Sequence, residues 1–460
     1  MKSLIQILSL ITGLTVSAMP IHEAWNLKEA EQRIEQYRKG TCTLTISLPD
    51  GSFLPEGTPV GIEQTRHAFN FGGSLAQVRS LHGQGVLEEY KVNFARLFNY
   101  STIGFYWSLH ERRRGEWNLQ DYTRDAIDWA QSKGMTLRGH PLMWHNAIPK
   151  WISDTNRPVS EIDKDIKEHV RRLVRLYPEI HQWDLYNEAP GIRLVDPDWG
   201  ARRWVESTGG AGPMTALVVK EVRSVKPDGY FILNHFNGND PEYWDQVEFC
   251  LSNDVPFDAI GIQTHMHSRD SVLQEEEMNE MLKRFSVFEK PLHLSEISVL
   301  SCEPFESYKE IKAYKESINQ ARRQGKDLPF INSSPEWEKY QADYTRDFYT
   351  LAFSYPKVEA IIWWSVSDRA AWRGAPAGLL DRDCRPKPVY RVLDKLINQQ
   401  WKTRLRTSTD ESGSIGLRGF YGSYRLTVSL GKKSYVGSFE ISRDSDNTVN
   451  IHLTKLIPES

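Results

Sequence analysis

QWDLYN (182–187), YFILN (230–234), DAIGIQ (258–263) and PLHLSE (291–296) decide the fold. Each is a short apolar run ending on polar residues, and a longer stretch with helical spacing follows it. Outward from this centre the same unit recurs. AFNFG (68–72), FNYSTI (98–103) and TLRGH (136–140) lie upstream, and EAIIWWS (359–365) lies downstream. The clearest helix starts near Glu336, where Trp337, Tyr340, Tyr344, Phe348, Leu351 and Tyr355 recur at steps of three and four, one face of a helix. Eight strands, each followed by a helical stretch, predict an α/β fold: a (β/α)8 TIM barrel over residues 67–400. A doubly wound open sheet would want a glycine-rich phosphate loop after its first strand, and no GxGxxG stands there.

The flanks follow a different period. Leu44, Ile46 and Leu48 alternate with Thr43, Thr45 and Ser47, a turn follows at Pro49-Asp50-Gly51, and Val60 and Ile62 resume the alternation. Tyr424, Leu426, Val428 and Leu430 alternate at the other end, as do Val449, Ile451 and Leu453. Period two marks half-buried antiparallel strands, and each set is too small to fold alone. The expectation is one small accessory β-sandwich made from both flanks, residues 40–66 pairing with 404–456.

The 460 residues carry 57 Lys+Arg and 60 Asp+Glu, a formal charge of −3, so no charge excess points to nucleic acid or an anionic membrane as partner. Residues 1–18 read as a signal peptide: Lys2, an apolar stretch from Leu4 to Val16, and small residues at Val16-Ser17-Ala18. That pattern predicts a secreted or periplasmic protein. The apolar run is short for a membrane span of about 20 residues. Cys42, Cys250, Cys302 and Cys384 are too few and scattered for a disulfide framework. Cys250 reads as a buried thiol in a helix, and a Cys302–Cys384 bridge would need both residues on neighbouring loops.

A barrel of this class does its chemistry at the C-terminal ends of its strands. Those ends supply Trp107, then His140, Trp144 and His145, then Asn187 and Glu188, then Asn234 and His235, then Gln263 and His265, then Glu296, and last Trp363, Trp364 and Trp372. Two carboxylates, several amides and imidazoles and many aromatic rings on one face suit acid-assisted cleavage of a glycosidic bond. One carboxyl must hold a proton while the other is ionised, so their surroundings must push their pKa values apart. Trp363 reads as core, since it and Trp364 point to opposite sides of a strand.

Five segments resemble glycoside hydrolase family 10, the endo-1,4-β-xylanase family, and the resemblance spans roughly residues 65–400. They are RGHPLMWHNAIPKWI (138–152), WDLYNEAP (183–190), GIQTHMH (261–267), LHLSEISV (292–299) and WWSVSDRAAW (363–372), the last followed by GLLD (378–381) and KPVY (387–390). The resemblance implies Glu188 as acid/base and Glu296 as nucleophile of a retaining, double-displacement hydrolase of β-1,4-xylosidic bonds. It implies Asn187 on the sugar 2-hydroxyl and His265 orienting the nucleophile. His140, Trp144, His145 and Gln263 would line the site of cleavage, Trp364 and Trp372 would wall it, and a xylan-type polysaccharide would be the partner. No cofactor or metal is implied. The chain departs from the family at TIGFYW (102–107), where Glu-Asn-x-Met-Lys-Trp is usual and Tyr106 replaces the Lys. Ala147 replaces a Gln, and Ser298 replaces an Asp that often follows the nucleophile.

Two rival readings share the residues. A metal-dependent barrel hydrolase would use His140, His145, His265 and His267, but needs carboxylate ligands clustered with them. A non-catalytic or differently specific polysaccharide-binding protein would use the sandwich, with Tyr421 and Tyr435 as its platform if they are exposed.

Overall fold

The computed structural model describes residues 22–118 and 121–455. The leader read over 1–18 lies outside them. Eight parallel strands close into a barrel: β1 (Asn70–Ser74), β2 (Tyr100–Gly104), β3 (Thr136–His140), β4 (Gln182–Asp184), β5 (Tyr230–His235), β6 (Ala259–Met266), β7 (Leu292–Val299) and β8 (Val358–Trp363). Each pairs with the next, and β8 pairs with β1. Helices cover the outside. The longest, Pro335–Ser354, carries the predicted aromatic face, with Tyr344, Phe348 and Leu351 buried. Pro335 fits its first turn, where an N–H has no helical partner anyway.

β4 is held by a close approach. A Cβ on Gly139 would sit 2.2 Å from the Trp183 ring, so only glycine lets that fully buried indole lie against β3. Trp183 in turn fixes the strand that delivers Asn187 and Glu188.

Both flanks contribute to two further sheets. In one, Lys39–Ser47 lies between Ser414–Phe420 and Thr448–His452. In the other the order is Arg404–Ser408, Pro59–His67, Gly422–Leu430, Lys433–Ile441 and Thr454–Lys455. Leu44, Ile46, Val60, Ile62, Leu426 and Ile451 meet between them in a separate core, as the alternating pattern requires. This unit sits at the N-terminal end of the barrel strands. Arg66 donates to the Asn99 carbonyl at 3.3 Å and to the Thr136 hydroxyl at 3.0 Å, and Phe420 packs against Phe353. The sheets therefore lie opposite the end that carries Glu188 and Glu296. Tyr435 belongs to the sandwich core and Tyr421 is half-buried, so the pair does not form an exposed aromatic platform.

All four cysteines are buried free thiols, and the Cys302–Cys384 bridge is not formed. Cys384 packs beside the Ser367 hydroxyl and Cys302 in a small cluster with Leu300 and Ala375, so the two thiols serve different patches of core. That cluster supports an insertion after β7, the helix Tyr308–Arg323, which the sequence reading did not anticipate.

Candidate active site

The floor of the site is an ion pair inside the barrel. Arg138 on β3 donates through Nε and Nη2 to the two oxygens of Asp184 on β4, at 2.8 and 2.5 Å, and both side chains are fully buried. His140 Nδ1 donates to the same carboxylate at 2.5 Å. Burial alone would raise the Asp184 carboxyl, but Arg138 and His140 outweigh it and hold it below its ordinary value. The third Arg138 nitrogen, Nη1, donates to the Ser295 carbonyl at 3.2 Å, which ties this floor to β7.

Glu296 rises from β7 at a bulge. Pairing with β6 slips between Ile262 and Gln263, and pairing with β8 slips between Ile361 and Trp363. A bulge re-aims side chains, and here two consecutive residues reach one partner. Ser295 Oγ donates to Asn234 Oδ1 at 2.5 Å, and Asn234 Nδ2 donates to Glu296 Oε1 at 2.8 Å. Regular alternation would send one of them to the other face. The other oxygen, Oε2, accepts from His265 Nε2 at 3.1 Å, while His265 Nδ1 accepts from the Ser298 hydroxyl at 2.7 Å. Burial, then Arg373 and His140, push His265 well below its usual value, so the ring is neutral. The Ser298 hydroxyl thereby fixes the tautomer that points N–H at Glu296.

Glu188 follows β4 with φ 56° and ψ 36°, a left-handed conformation that costs a glutamate roughly 1–3 kcal/mol. Two backbone bonds hold it there: its N–H donates to the Asn234 carbonyl at 2.8 Å, and its carbonyl accepts from Gly191 at 2.8 Å. Trp144 Nε1 donates to its Oε2 at 2.9 Å, and Gln263 Nε2 donates to its Oε1 at 3.1 Å. Burial, and next the charge of Glu296, raise the Glu188 carboxyl. Glu296 is also raised by burial, but His140, Arg138 and the Asn234 bond pull it back.

Asn187 joins the two carboxylates. Its Oδ1 accepts from Asn234 Nδ2 at 2.8 Å and from Gln263 Nε2 at 3.3 Å. Because Asn234 also binds Glu296 and Gln263 also binds Glu188, one amide chain runs from one glutamate to the other. Trp364 packs on His140 with ring centroids 5.0 Å apart, and Trp372 on His265 at 4.8 Å. His145 stacks on Tyr186 at 6.0 Å; it is buried, its Nδ1 has no hydrogen-bond partner, and burial pushes it down to about 4. Trp363 is core, as read.

Four residues have roles in the site that the sequence reading did not give them. Asp184 and Arg138 lie 46 residues apart, and only the neighbouring strands bring them together. Asn234, read simply as a strand end, is the hub of the amide chain. Arg373 lies over the Trp372 ring, 4.1 Å from its centroid. Tyr106, from the unusual TIGFYW segment, packs on His140 and Trp144 at 6.0 and 6.1 Å. Of the four histidines a metal site would use, His140 and His265 are committed to Asp184 and Glu296, and His267 accepts from Arg373 at 3.2 Å. Among the described residues no group of three or more His, Cys, Asp or Glu is arranged to hold a metal ion.

Residues 64–395 match the model of glycosyl hydrolase family 10. Anti-sigma-I factor RsgI6 of Acetivibrio thermocellus is 25% identical over 433 residues, covering 91% of this chain, which spans only 49% of that longer protein. Endo-1,4-beta-xylanase B of Thermotoga neapolitana is 23% identical over 334 residues, covering 69% of this chain and 86% of its own length. The crystal structure of xylanase 10B from Thermotoga petrophila in complex with xylobiose shares the fold. Its TM-score is 0.56 at 19% identity, covering 72% of this chain and 95% of that one.

Proposed function

The chain belongs to glycosyl hydrolase family 10, and from that premise we propose that it cleaves β-1,4-xylosidic bonds in xylan or decorated xylan with retention of configuration. One observation carries the proposal: the amide chain Glu188–Gln263–Asn187–Asn234–Glu296 binds both carboxylates into a single site. Two carboxyl groups facing one bond are what glycoside cleavage uses.

Glu188 begins protonated, because burial and the neighbouring negative charge favour its neutral form. Glu296 begins ionised, because two donors and the field of Arg138 oppose its burial. Glu296 attacks the anomeric carbon as Glu188 protonates the departing glycosidic oxygen, leaving a glycosyl ester on Glu296. That ester is uncharged, so one cause of the raised Glu188 pKa disappears. Glu188 then serves as base for the water that releases the sugar. Asn187 binds the 2-hydroxyl of the sugar at the cleavage point, His140 and Gln263 line that subsite, and Trp364 and Trp372 wall it. His145 lines it too, from the loop after β3, with its ring stacked on Tyr186.

A hydrolysis screen over xylan, arabinoxylan, glucuronoxylan, mannan and cellulose tests the substrate class. NMR of the first product formed tests retention, and an inverted first product overturns the mechanism. We further propose export, on the pattern of residues 1–18. Mass spectrometry of protein released from expressing cells should find a chain that starts at Met19.

A further inference from the structure

The loop after β8 carries a positive charge that no acidic side chain neutralises among the described residues. Arg373 follows Trp372, whose ring is 42% exposed and lies 4.8 Å from His265, the partner of Glu296. The guanidinium is half-buried beside the cleavage point. One of its nitrogens donates to His267 Nδ1 at 3.2 Å, and the others reach solvent without a protein acceptor. Burial lowers it to about 10, opposed by Tyr308, Glu188 and Glu296, so it stays charged at neutral pH. Two acidic side chains of the loop after β7, Glu303 and Glu306, are committed to Arg269.

The position is built, not incidental. Gly374 has φ +68°, and a Cβ there would meet Ile318 at 2.6 Å, so the loop rests directly on the inserted helix Tyr308–Arg323. That helix presents Tyr308, 56% exposed, with Lys312 Nζ 5.0 Å from its ring centroid. Two exposed rings and two cations without ion-pair partners thus belong to the β8 loop and to the inserted helix on which it rests. A half-buried guanidinium with open, fork-shaped donors matches a carboxylate better than a hydroxyl. Exposed rings match the apolar face of a sugar.

We propose that Arg373, aided by Lys312 on the inserted helix, receives the carboxylate of a uronic acid branch on the xylan backbone, while Trp372 and Tyr308 cover the sugar that bears it. This rests on the xylan-cleaving reading above and specifies which decoration the cleft selects.

The test compares kcat/KM on three substrates: a xylo-oligosaccharide with one uronic acid branch, the same molecule with that carboxyl reduced to an alcohol, and the unbranched oligosaccharide. The reduced molecule keeps size and stacking and loses only the charge. The unaltered protein should prefer the acid over the alcohol by about tenfold at low salt, and added salt should narrow the gap. Arg373→Gln should abolish that preference, read as the acid-to-alcohol ratio within the variant whatever its absolute rate, and Arg373→Lys should keep part of it. Lys312→Gln should weaken it. Equal rates on acid and alcohol in the unaltered protein, or a preference that survives in Arg373→Gln, overturns the inference alone. Failure to cleave any of the three overturns the proposed function and this inference with it.

Discussion

At the floor of the cleft both Asp184 oxygens and all three Arg138 nitrogens have partners inside the protein. Glu188 and Glu296 likewise have a donor on every oxygen. At the rim, Arg373 keeps donors open to solvent, Lys312 is exposed, and Tyr106 meets its neighbours through ring contacts. A group whose bonds are all made internally is held still, and catalytic groups must be held within a fraction of an ångström. A group with open donors has something to offer a substrate. The contrast assigns chemistry to the floor and selection to the rim, so changes at the floor should cost rate or folding on every substrate, while changes at the rim should cost some substrates and spare others.

The largest effects belong to the carboxylates. Glu296→Ala should reduce turnover by about 10⁴-fold or more on all substrates, since no other nucleophile is at hand. Glu188→Ala should slow poor leaving groups by about 10²–10⁴-fold and activated aryl glycosides far less, because the latter need little proton donation. Azide should restore part of the lost rate by replacing the water that Glu188 activates. Equal loss on both substrate kinds, with no rescue, would contradict the assignment.

Next in size is the floor itself. Asp184→Asn leaves Arg138 charged and fully buried without its counter-ion, which should destabilise the fold by about 3–5 kcal/mol, read as a lower midpoint in denaturant. The pH sign follows from the depressed Asp184 pKa. An acid held below its unfolded value, about 3.9, stabilises the fold above that value, and the contribution fades as pH falls through the folded-state value. The variant should therefore lose less stability than the parent between neutral pH and strong acid. A variant as stable as its parent at neutral pH would show that the pair is dispensable.

How much of this was legible depends on the range of the interaction. Strand order and the ends of β4 and β7 could be read because apolar runs and the residues that follow them are local signals. The bulge at Ser295–Glu296 could not, since a register slip depends on β6 and β8 as well as on β7. The Arg138–Asp184 pair stayed hidden for the same reason: each residue alone looks like an ordinary strand polar group. The stacking of His145 on Tyr186 was hidden too, since a 3-10 turn over His145–Ala147 sets the direction of the ring. The inserted helix did leave a signal in Ile311, Tyr314 and Ile318 at steps of three and four. Arg373 left none, because a lone arginine in a loop is ordinarily solvated.

A smaller effect sits where floor and rim meet. Ser298→Ala removes the hydroxyl that fixes the His265 tautomer and leaves the Glu296 contact in place. We expect kcat to fall several-fold with KM nearly unchanged, as for a group that orients the nucleophile. Ser298→Asp should act differently. A carboxylate on Nδ1 favours the imidazolium, and a cation beside Glu296 favours its ionised form, so the acid limb of kcat/KM should move to lower pH. Identical pH profiles in all three proteins would leave Ser298 with no role beyond packing.

The smallest expected effect is at Tyr106, and it is the sharpest test of the contrast. Its ring lies 6.0 Å from His140 and 6.1 Å from Trp144, and burial followed by the charges of Glu296 and Glu188 keeps its hydroxyl protonated. The family resemblance puts a lysine here, a group that hydrogen-bonds a sugar hydroxyl. An aromatic surface discriminates weakly, because a missing hydroxyl strands no buried polar group. Tyr106→Phe should therefore change kcat/KM on unbranched xylo-oligosaccharides by less than about threefold. Tyr106→Lys should improve the unbranched substrate and narrow the advantage of a decorated one. The added charge should also favour ionised carboxylates, moving both limbs of the pH profile downward. If Tyr106→Lys alters neither the substrate ratio nor the limbs, Tyr106 is filling space between His140 and Trp144, and the rim's selectivity resides in the β8 loop alone.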